Sequence, residues 1–324
     1  MRSPAAPVLE PVSGFLWRTN CPLETLAEVK GFSRPLESLL GLDNSSLQDL
    51  RRELPKLNSW AWGLIEALQR KSPALLLDFD TGTRASMDLD LFRKFSVLLG
   101  YAMGELVVQN EKGDRLITVY DRDRTKSMRE GARYHQTREG GSIHTDNVNI
   151  PERWHYLLLT CLEQAPVGGE NILVDGRRVY RELRDRFPEV LRVLESPFWW
   201  EKRGVADALY QAPIVVMDQA EPLFRHLRPY MESAHEKAKE PMTEQQVYAV
   251  DVLDALTNST EMQVRYRMRP FETLLTVDAQ VLHGRQYFSD DLDALELPKF
   301  LGLPAQEKAR AKLRRTMERL WIKA

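Results

Sequence analysis

Two histidines and an aspartate carry the chemistry most visible in this chain. His144 and Asp146 stand two residues apart in the run Ser142-Ile143-His144-Thr145-Asp146, and His283 ends a distant apolar run just before Gly284 and Arg285. Residues two apart on a strand share a face, so one short segment would present an imidazole and a carboxylate together. A second imidazole delivered by the fold would complete a facial set of two nitrogens and one oxygen. Such a set leaves the opposite metal positions open, which suits non-haem Fe(II) binding a cosubstrate and O2. A lone His-x-Asp arises easily by chance, and in isolation it reads as a surface histidine beside a capping aspartate. The other histidines sharpen the choice. His135, His155, His226 and His235 have no carboxylate two residues on.

These groups need a scaffold to bring them together. Residues 1–20, with Pro4, Pro7 and Pro11, read as an irregular arm. From about 23 to 71, Leu39, Leu47, Leu50, Leu54, Trp60, Leu64 and Leu68 recur at helical spacing. The apolar run 74–79 reads as a buried strand, and 91–103 returns to helical spacing. The texture then changes, and 115–120, 154–161, 171–174, 213–217, 262–268 and 273–277 read as strands. Helical stretches at about 176–194 and 243–257 interrupt them. Strands gathered after residue 115 predict a β core decorated by helices, not an alternating βαβ series.

Composition narrows the partners. The 324 residues carry a formal net charge of −2, with 43% hydrophobic and 28% charged residues, as in an ordinary globular protein. That balance gives no reason to expect nucleic acid. No apolar run reaches membrane-spanning length, and the first twenty residues lack the apolar core of a secretory signal. The only cysteines, Cys21 and Cys161, lie far apart. This argues against a disulfide scaffold, a zinc cluster or a redox pair, and leads us to expect a cytoplasmic protein.

A series of motifs arrives in one order: Gly141 to Asp146, Tyr156 to Leu159, Gly168-Gly169-Glu170-Asn171 with Asp175, Val281 to Arg285, and Arg314 to Ile322. Together, over about residues 75–322, they resemble the taurine dioxygenase/clavaminate synthase-like group of Fe(II)- and 2-oxoglutarate-dependent oxygenases. The resemblance implies a fold that is mainly β with flanking helices, around a double-stranded β-helix (a cupin-type jelly roll). It implies a single oxygenase domain over 1–324, with 1–72 as arm and helices on a 73–324 core. It also implies that His144, Asp146 and His283 ligate the iron, with 2-oxoglutarate and O2 as cosubstrates.

2-Oxoglutarate needs a fixed cation for its distal carboxylate, best met by a bidentate arginine. Arg315 and Arg319 would point the same way along a strand. By the resemblance, Arg315 takes the cosubstrate and Arg319 an anionic group of the substrate, while a shift by one residue would bring in Arg314. Asn171 stands where the family commonly has Thr, and its amide can still donate to the same carboxylate. The family places its arginine closer behind the distal histidine, so 286–310 reads as an insertion serving as a lid or an oligomer contact. The competing reading of 308–319 is a solvated basic helix.

Substrate-side candidates are Arg285, on the face of His283 and able to pair with Asp278; Asn147, which follows Asp146; and Tyr134, His135 and Arg138 in a charged, glycine-rich stretch. The cluster Phe198-Trp199-Trp200 reads as core or pocket wall, and Cys161 as packing. The expected activity is hydroxylation of an unactivated C–H in a small anionic substrate, such as an amino acid or an amino-acid-derived natural-product intermediate, with succinate and CO2 as coproducts. Asp146 favours this over halogenation, which would want a small residue there. Desaturation or cyclisation would use the same cofactors. A metal-dependent hydrolase or a non-catalytic cupin-like binding protein are the remaining alternatives, and homo-oligomerisation stays open.

Overall fold

Strand Tyr156–Glu163 accounts for the layering of the molecule. Its side chains alternate: Leu157 and Leu159 turn towards an inner cavity, while Tyr156 and Leu158 turn into a helix-covered core. With both faces buried, it reads as a continuous apolar run rather than an alternating one. The computed structural model describes residues 6–42, 44–121, 140–146, 148–202, 208–290 and 314–324.

Among these residues Tyr156–Glu163 lies near the middle of the larger sheet. It is paired antiparallel with Thr273–Val277 on one side and Thr316–Lys323 on the other. Beyond Thr273–Val277 come Ala74–Asp78, Leu16–Asn20 and Glu10–Ser13, and beyond Thr316–Lys323 come Glu105–Leu106 and Leu116–Val119. The smaller sheet facing it is built from Gln263–Tyr266, Asn171–Asp175 and Val281–Arg285, all antiparallel. Leu16, Leu76, Cys161, Leu173, Val264 and Met317 fill the space between the two sheets. This is the expected double-stranded β-helix.

Helices cover both outer faces. Leu23–Gly31, Asn44–Glu53, Pro55–Arg70 and Leu89–Met103 pack on Leu75, Leu158, Leu275, Leu320 and Ile322 of the larger sheet. Behind the smaller sheet, Ile172, Val174 and Leu282 meet Gly176–Arg186, Pro188–Leu194, Arg228–Ala238 and Glu244–Asn258. The stretch expected as one helix over 176–194 is two, because Phe187 ends the first and Pro188 starts the second. Phe198 and Trp200 belong to this outer core, on strand Pro197–Glu201, and not to the inner cavity.

The N-terminal arm is a correction. Residues expected to be irregular form the hairpin Glu10–Ser13 and Leu16–Asn20, with Gly14 at positive φ in its turn. Leu16–Asn20 then runs parallel to Ala74–Asp78. Pro11 obscured this, yet proline is compatible with an edge strand, where a missing N–H breaks no ladder.

Strand Thr316–Lys323 matters most for the site. A bulge between Thr316 and Met317 shifts its register on Tyr156–Glu163. Arg315, Met317 and Arg319 line the inner cavity, whereas Leu320 and Ile322 point to the helices. The alternative of a basic helix here is excluded for residues 316–323.

Candidate metal centre and cosubstrate pocket

His144 and His283 meet through their backbones. The His144 N–H donates to the His283 carbonyl at 2.8 Å and the His283 N–H donates to the His144 carbonyl at 2.7 Å. This isolated antiparallel bridge extends the smaller sheet by one residue and sets the imidazoles side by side, centroids 4.6 Å apart. The expectation that His144 and Asp146 share a strand is corrected, since the chain leaves the bridge at Thr145 and bends at Asp146. Thr145 is held from the far side of the smaller sheet: its N–H donates to the His226 carbonyl at 2.8 Å and its hydroxyl accepts from the His226 N–H at 3.0 Å.

The bend turns the Asp146 carboxylate back towards both rings. Oδ1 lies 3.6 Å from His144 Nε2 and 3.7 Å from His283 Nε2. Donors held about 2.0–2.2 Å from one ion need only a small inward movement from there. His144 Nδ1 lies 2.8 Å from the Ser142 carbonyl, which places its proton on Nδ1 and leaves the Nε2 lone pair facing Asp146. Burial, reinforced by His283, lowers the His144 pKa and favours the neutral ring a metal requires. Burial opposes charge on His283 too, but Asp146 outweighs it and the pKa is raised.

The other carboxylate oxygen is fully occupied. Asp146 Oδ2 accepts from Arg319 Nη1 and from Trp321 Nε1, each at 2.9 Å. Burial alone would raise this carboxyl, but Arg319 and the two imidazoles hold it well below the usual carboxylate range. The Asp146 N–H donates to Asp278 Oδ1 at 3.3 Å. Asp278 is fully buried, and burial together with the neighbouring Asp146 charge pushes its carboxyl up to about 7.

A cavity of about 70 Å³ opens beside these residues. Leu157, Leu159, Leu173 and Met317 give it apolar walls, while Asn171, Arg285 and Arg315 supply polar groups. Arg315 is 1% exposed and its guanidinium lies 5.2 Å from the Phe288 ring centre, with Arg285 at 4.8 Å from the same ring. Gly169, at positive φ, explains the Gly-Gly pair: a Cβ there would meet Arg315 Nε at 3.0 Å. Buried Asn171 Nδ2 has no hydrogen-bond partner among the described residues, and an unsatisfied buried donor is costly. An arginine and an amide donor over apolar walls fit a short dicarboxylate chain, and the His-Asp-His donor set fits Fe(II).

The structure thus brings His144, Asp146, His283, Asn171, Arg285, Arg315 and Arg319 around one cavity. Arg314 points to solvent, so the register places Arg315 inward. Arg319 was expected on the substrate, yet the structure puts its guanidinium on Asp146. The suggested Arg285–Asp278 pair is also corrected, because Asp278 sits beneath Asp146. Tyr134, His135, Arg138 and Asn147 lie outside the described residues, as does most of the 286–310 stretch. Sequence reasoning missed Trp321, Phe288 and Gln109, and gave Asp278 a different partner. Of these only Trp321 carried a signal, being two residues beyond Arg319 on the same strand face.

A jelly roll with this donor set at one mouth and a cationic pocket beside it defines a class: a 2-oxoglutarate-dependent non-haem iron dioxygenase, using Fe(II), 2-oxoglutarate and O2. Residues 34–297 match the taurine catabolism dioxygenase TauD, TfdA family, and the chain belongs to that family. The chain is 26% identical over 201 residues to FR-33289 synthase from Streptomyces rubellomurinus, a match spanning 60% of this chain and 58% of that protein. Among solved structures, asparagine oxygenase with Fe(II), 2S,3S-3-hydroxyasparagine and succinate is similar in fold, with a TM-score of 0.65 at 15% identity over 94% of this chain and 93% of that one. The non-heme iron oxygenase OrfP with Fe and alpha-ketoglutaric acid gives 0.61 at 14% identity over 94% and 93%. No helix among the described residues is long and apolar enough to cross a membrane.

Proposed function

We propose that this dioxygenase hydroxylates an unactivated C–H bond of a small anionic substrate, an amino acid or an amino-acid-derived natural-product intermediate. The observation that carries the site is the convergence of His144 Nε2, His283 Nε2 and Asp146 Oδ1 beside a pocket containing buried arginines. In this reading those three atoms are the iron ligands. When bound, iron and 2-oxoglutarate supply the oxidising chemistry: substrate R–H, 2-oxoglutarate and O2 give R–OH, succinate and CO2.

The chain's own residues bind and orient. Arg315 grips the distal carboxylate of 2-oxoglutarate, and the Asn171 amide donates to the same molecule. The leucine walls exclude water from the cosubstrate chain. Arg285 reads an anionic group of the substrate, and Tyr134, His135, Arg138 and Asn147 are the further substrate-side candidates. A carboxylate at Asp146 supports hydroxylation over halogenation. Support for an amino-acid-like substrate comes from the similar structures, which hold hydroxyasparagine and, in another OrfP complex, (3S)-hydroxy-L-Arg. The synthase relative supports a place in biosynthesis. In this reading residues 1–324 work as one oxygenase unit in the cytoplasm, in keeping with two buried free cysteines.

The test is anaerobic addition of Fe(II) and 2-oxoglutarate to the metal-free protein, alongside His144→Ala, watching the visible iron-to-oxoacid charge-transfer band. The band should form in the wild type and vanish in the variant. Free and derivatised amino acids are then screened by substrate-dependent succinate release, and product mass separates hydroxylation from desaturation or cyclisation. A wild type that never develops the band would sink this reading.

A further inference from the structure

We propose that Arg319 and Trp321 are positioning residues that confine Asp146 to metal binding through Oδ1 alone. The inference rests on the metal reading above. A carboxylate has two oxygens and about four lone-pair sites, so it can swing between one-oxygen and two-oxygen binding unless something holds it. Here Arg319 Nη1 and Trp321 Nε1 both donate to Oδ2 at 2.9 Å, leaving Oδ1 as the atom that faces both imidazoles.

Both donors are themselves held. Arg319 Nε donates to Gln109 Oε1 at 2.9 Å, and Gln109 Nε2 donates back to the Arg319 carbonyl at 3.0 Å and to the Arg115 carbonyl at 2.7 Å. The Arg319 guanidinium lies 4.5 Å from the Trp321 ring centre. Trp321 stacks on buried Trp154, centroids 4.0 Å apart and planes within 14°. Two neighbouring elements therefore brace the pair, the turn at Gln109 and the segment carrying Trp154. Arg319 thus commits its Nε and one of its two terminal nitrogens to contacts within the protein. Residues of this kind set ligand orientation, and their loss typically weakens metal binding about 10- to 100-fold.

The experiment is a Co(II) titration of the metal-free protein, without 2-oxoglutarate or substrate, following the visible d–d spectrum. Wild type is compared with Arg319→Met, Arg319→Lys and Trp321→Phe, and the unfolding temperature of each metal-free variant is recorded. Arg319→Met and Trp321→Phe should each weaken Co(II) binding about 10- to 100-fold and alter the band pattern. Arg319→Lys, which keeps one charged donor, should recover part of both. Wild-type affinity and spectrum in both Arg319→Met and Trp321→Phe would overturn the inference. Lowered unfolding temperatures with an unchanged Co(II) spectrum would overturn it too, by reducing the pair to a packing role. A wild type that fails to bind Co(II) would sink the metal reading itself, and the inference with it.

Discussion

One strand, Thr273–Val277, has a buried acid at each end, and the two ends behave differently. Before it comes Glu272, which with Asp78 meets Arg18, Arg84 and Arg269. Every carboxylate oxygen there has a donor. Glu272 Oε1 accepts from Arg269 Nε at 2.9 Å and from the Tyr266 hydroxyl at 2.9 Å, and Oε2 accepts from the Arg269 N–H at 2.7 Å. Asp78 accepts from Arg84 and the Phe79 N–H on one oxygen and from Arg269 on the other. After the strand comes Asp278, under Asp146. There one oxygen of Asp146 is saturated, while the other faces the imidazole nitrogens across 3.6 and 3.7 Å. With both rings neutral, as metal binding requires, these atoms are acceptors converging in a buried place, which costs free energy unless a cation joins them. The difference teaches how to read buried charge: completion marks a fastening, and a gap shared by lone pairs marks a binding site.

Removing the fastening should have the largest effect on the fold. Glu272→Ala leaves three arginines facing one aspartate and should destabilise the protein by about 3 kcal/mol, measured by urea unfolding. Metal affinity of the folded fraction should stay unchanged. Loss of metal binding at unchanged stability would break the contrast between the two ends. Arg315→Met should act in the opposite sense. It removes a charged hydrogen-bonding group of the kind that contributes about 1.5–3 kcal/mol, so the KM for 2-oxoglutarate should rise roughly 10- to 100-fold. Stability and Co(II) affinity should hold.

The smallest effect is expected at Asp254, which joins the two kinds of behaviour. It accepts from His226 Nε2 at 2.8 Å and from Arg228 Nη1 at 2.8 Å, and Arg228 also serves Glu232 and Asp251. Burial pushes the Asp254 carboxyl up, but His226 and Arg228 outweigh it and hold the pKa below its ordinary value. A lowered folded-state pKa means that the stabilisation is present above the unfolded value of about 3.9 and is lost as pH falls through the folded value. Asp254→Asn should therefore cost about 1 kcal/mol at pH 7 and flatten the acid side of the stability curve. An unchanged acid limb in the variant would remove Asp254 from that account. Because His226 also grips Thr145, a small loss of Co(II) affinity should accompany the change.

The metal set was legible in the sequence because its rule is local. The two-residue spacing of His144 and Asp146, the apolar run before His283 and the ordered motifs of the resemblance nominated them, although the shared strand assumed for the first two is a bend. Asn171 and Arg315, nominated from motif order, both line the cavity. The core strands were legible through their apolar runs, and the helix Leu89–Met103 through its periodicity, which placed its start two residues late at 91. What escaped depends on contacts that no spacing encodes. Gln109 meets Arg319 only because Thr316–Lys323 lies beside the segment that follows helix Leu89–Met103, and Asp278 reaches Asp146 from a single 3-10 turn. Thr145, just before the bend at Asp146, is held by the backbone of His226, a residue with no motif around it. Alternation placed Arg319 on the cavity face but said nothing of its contact with Asp146, because alternation gives direction without distance.

The bulge at Thr316 and Met317 bears on how this scaffold tolerates change. Arg315 takes its place from ladder pairing of Thr316–Lys323 with strands on both sides, and from the Asp290 carboxylate, which accepts the Arg315 N–H at 2.8 Å. The length of chain arriving from His283 does not set it. Closing a longer connection is cheap, about 0.6 kcal/mol for each doubling. The interval between His283 and Arg315 can therefore change in length while ladder pairing holds Arg315 in place. Adding or removing residues between 291 and 313 should then leave the place of Arg315, and the geometry around Asp146, unchanged.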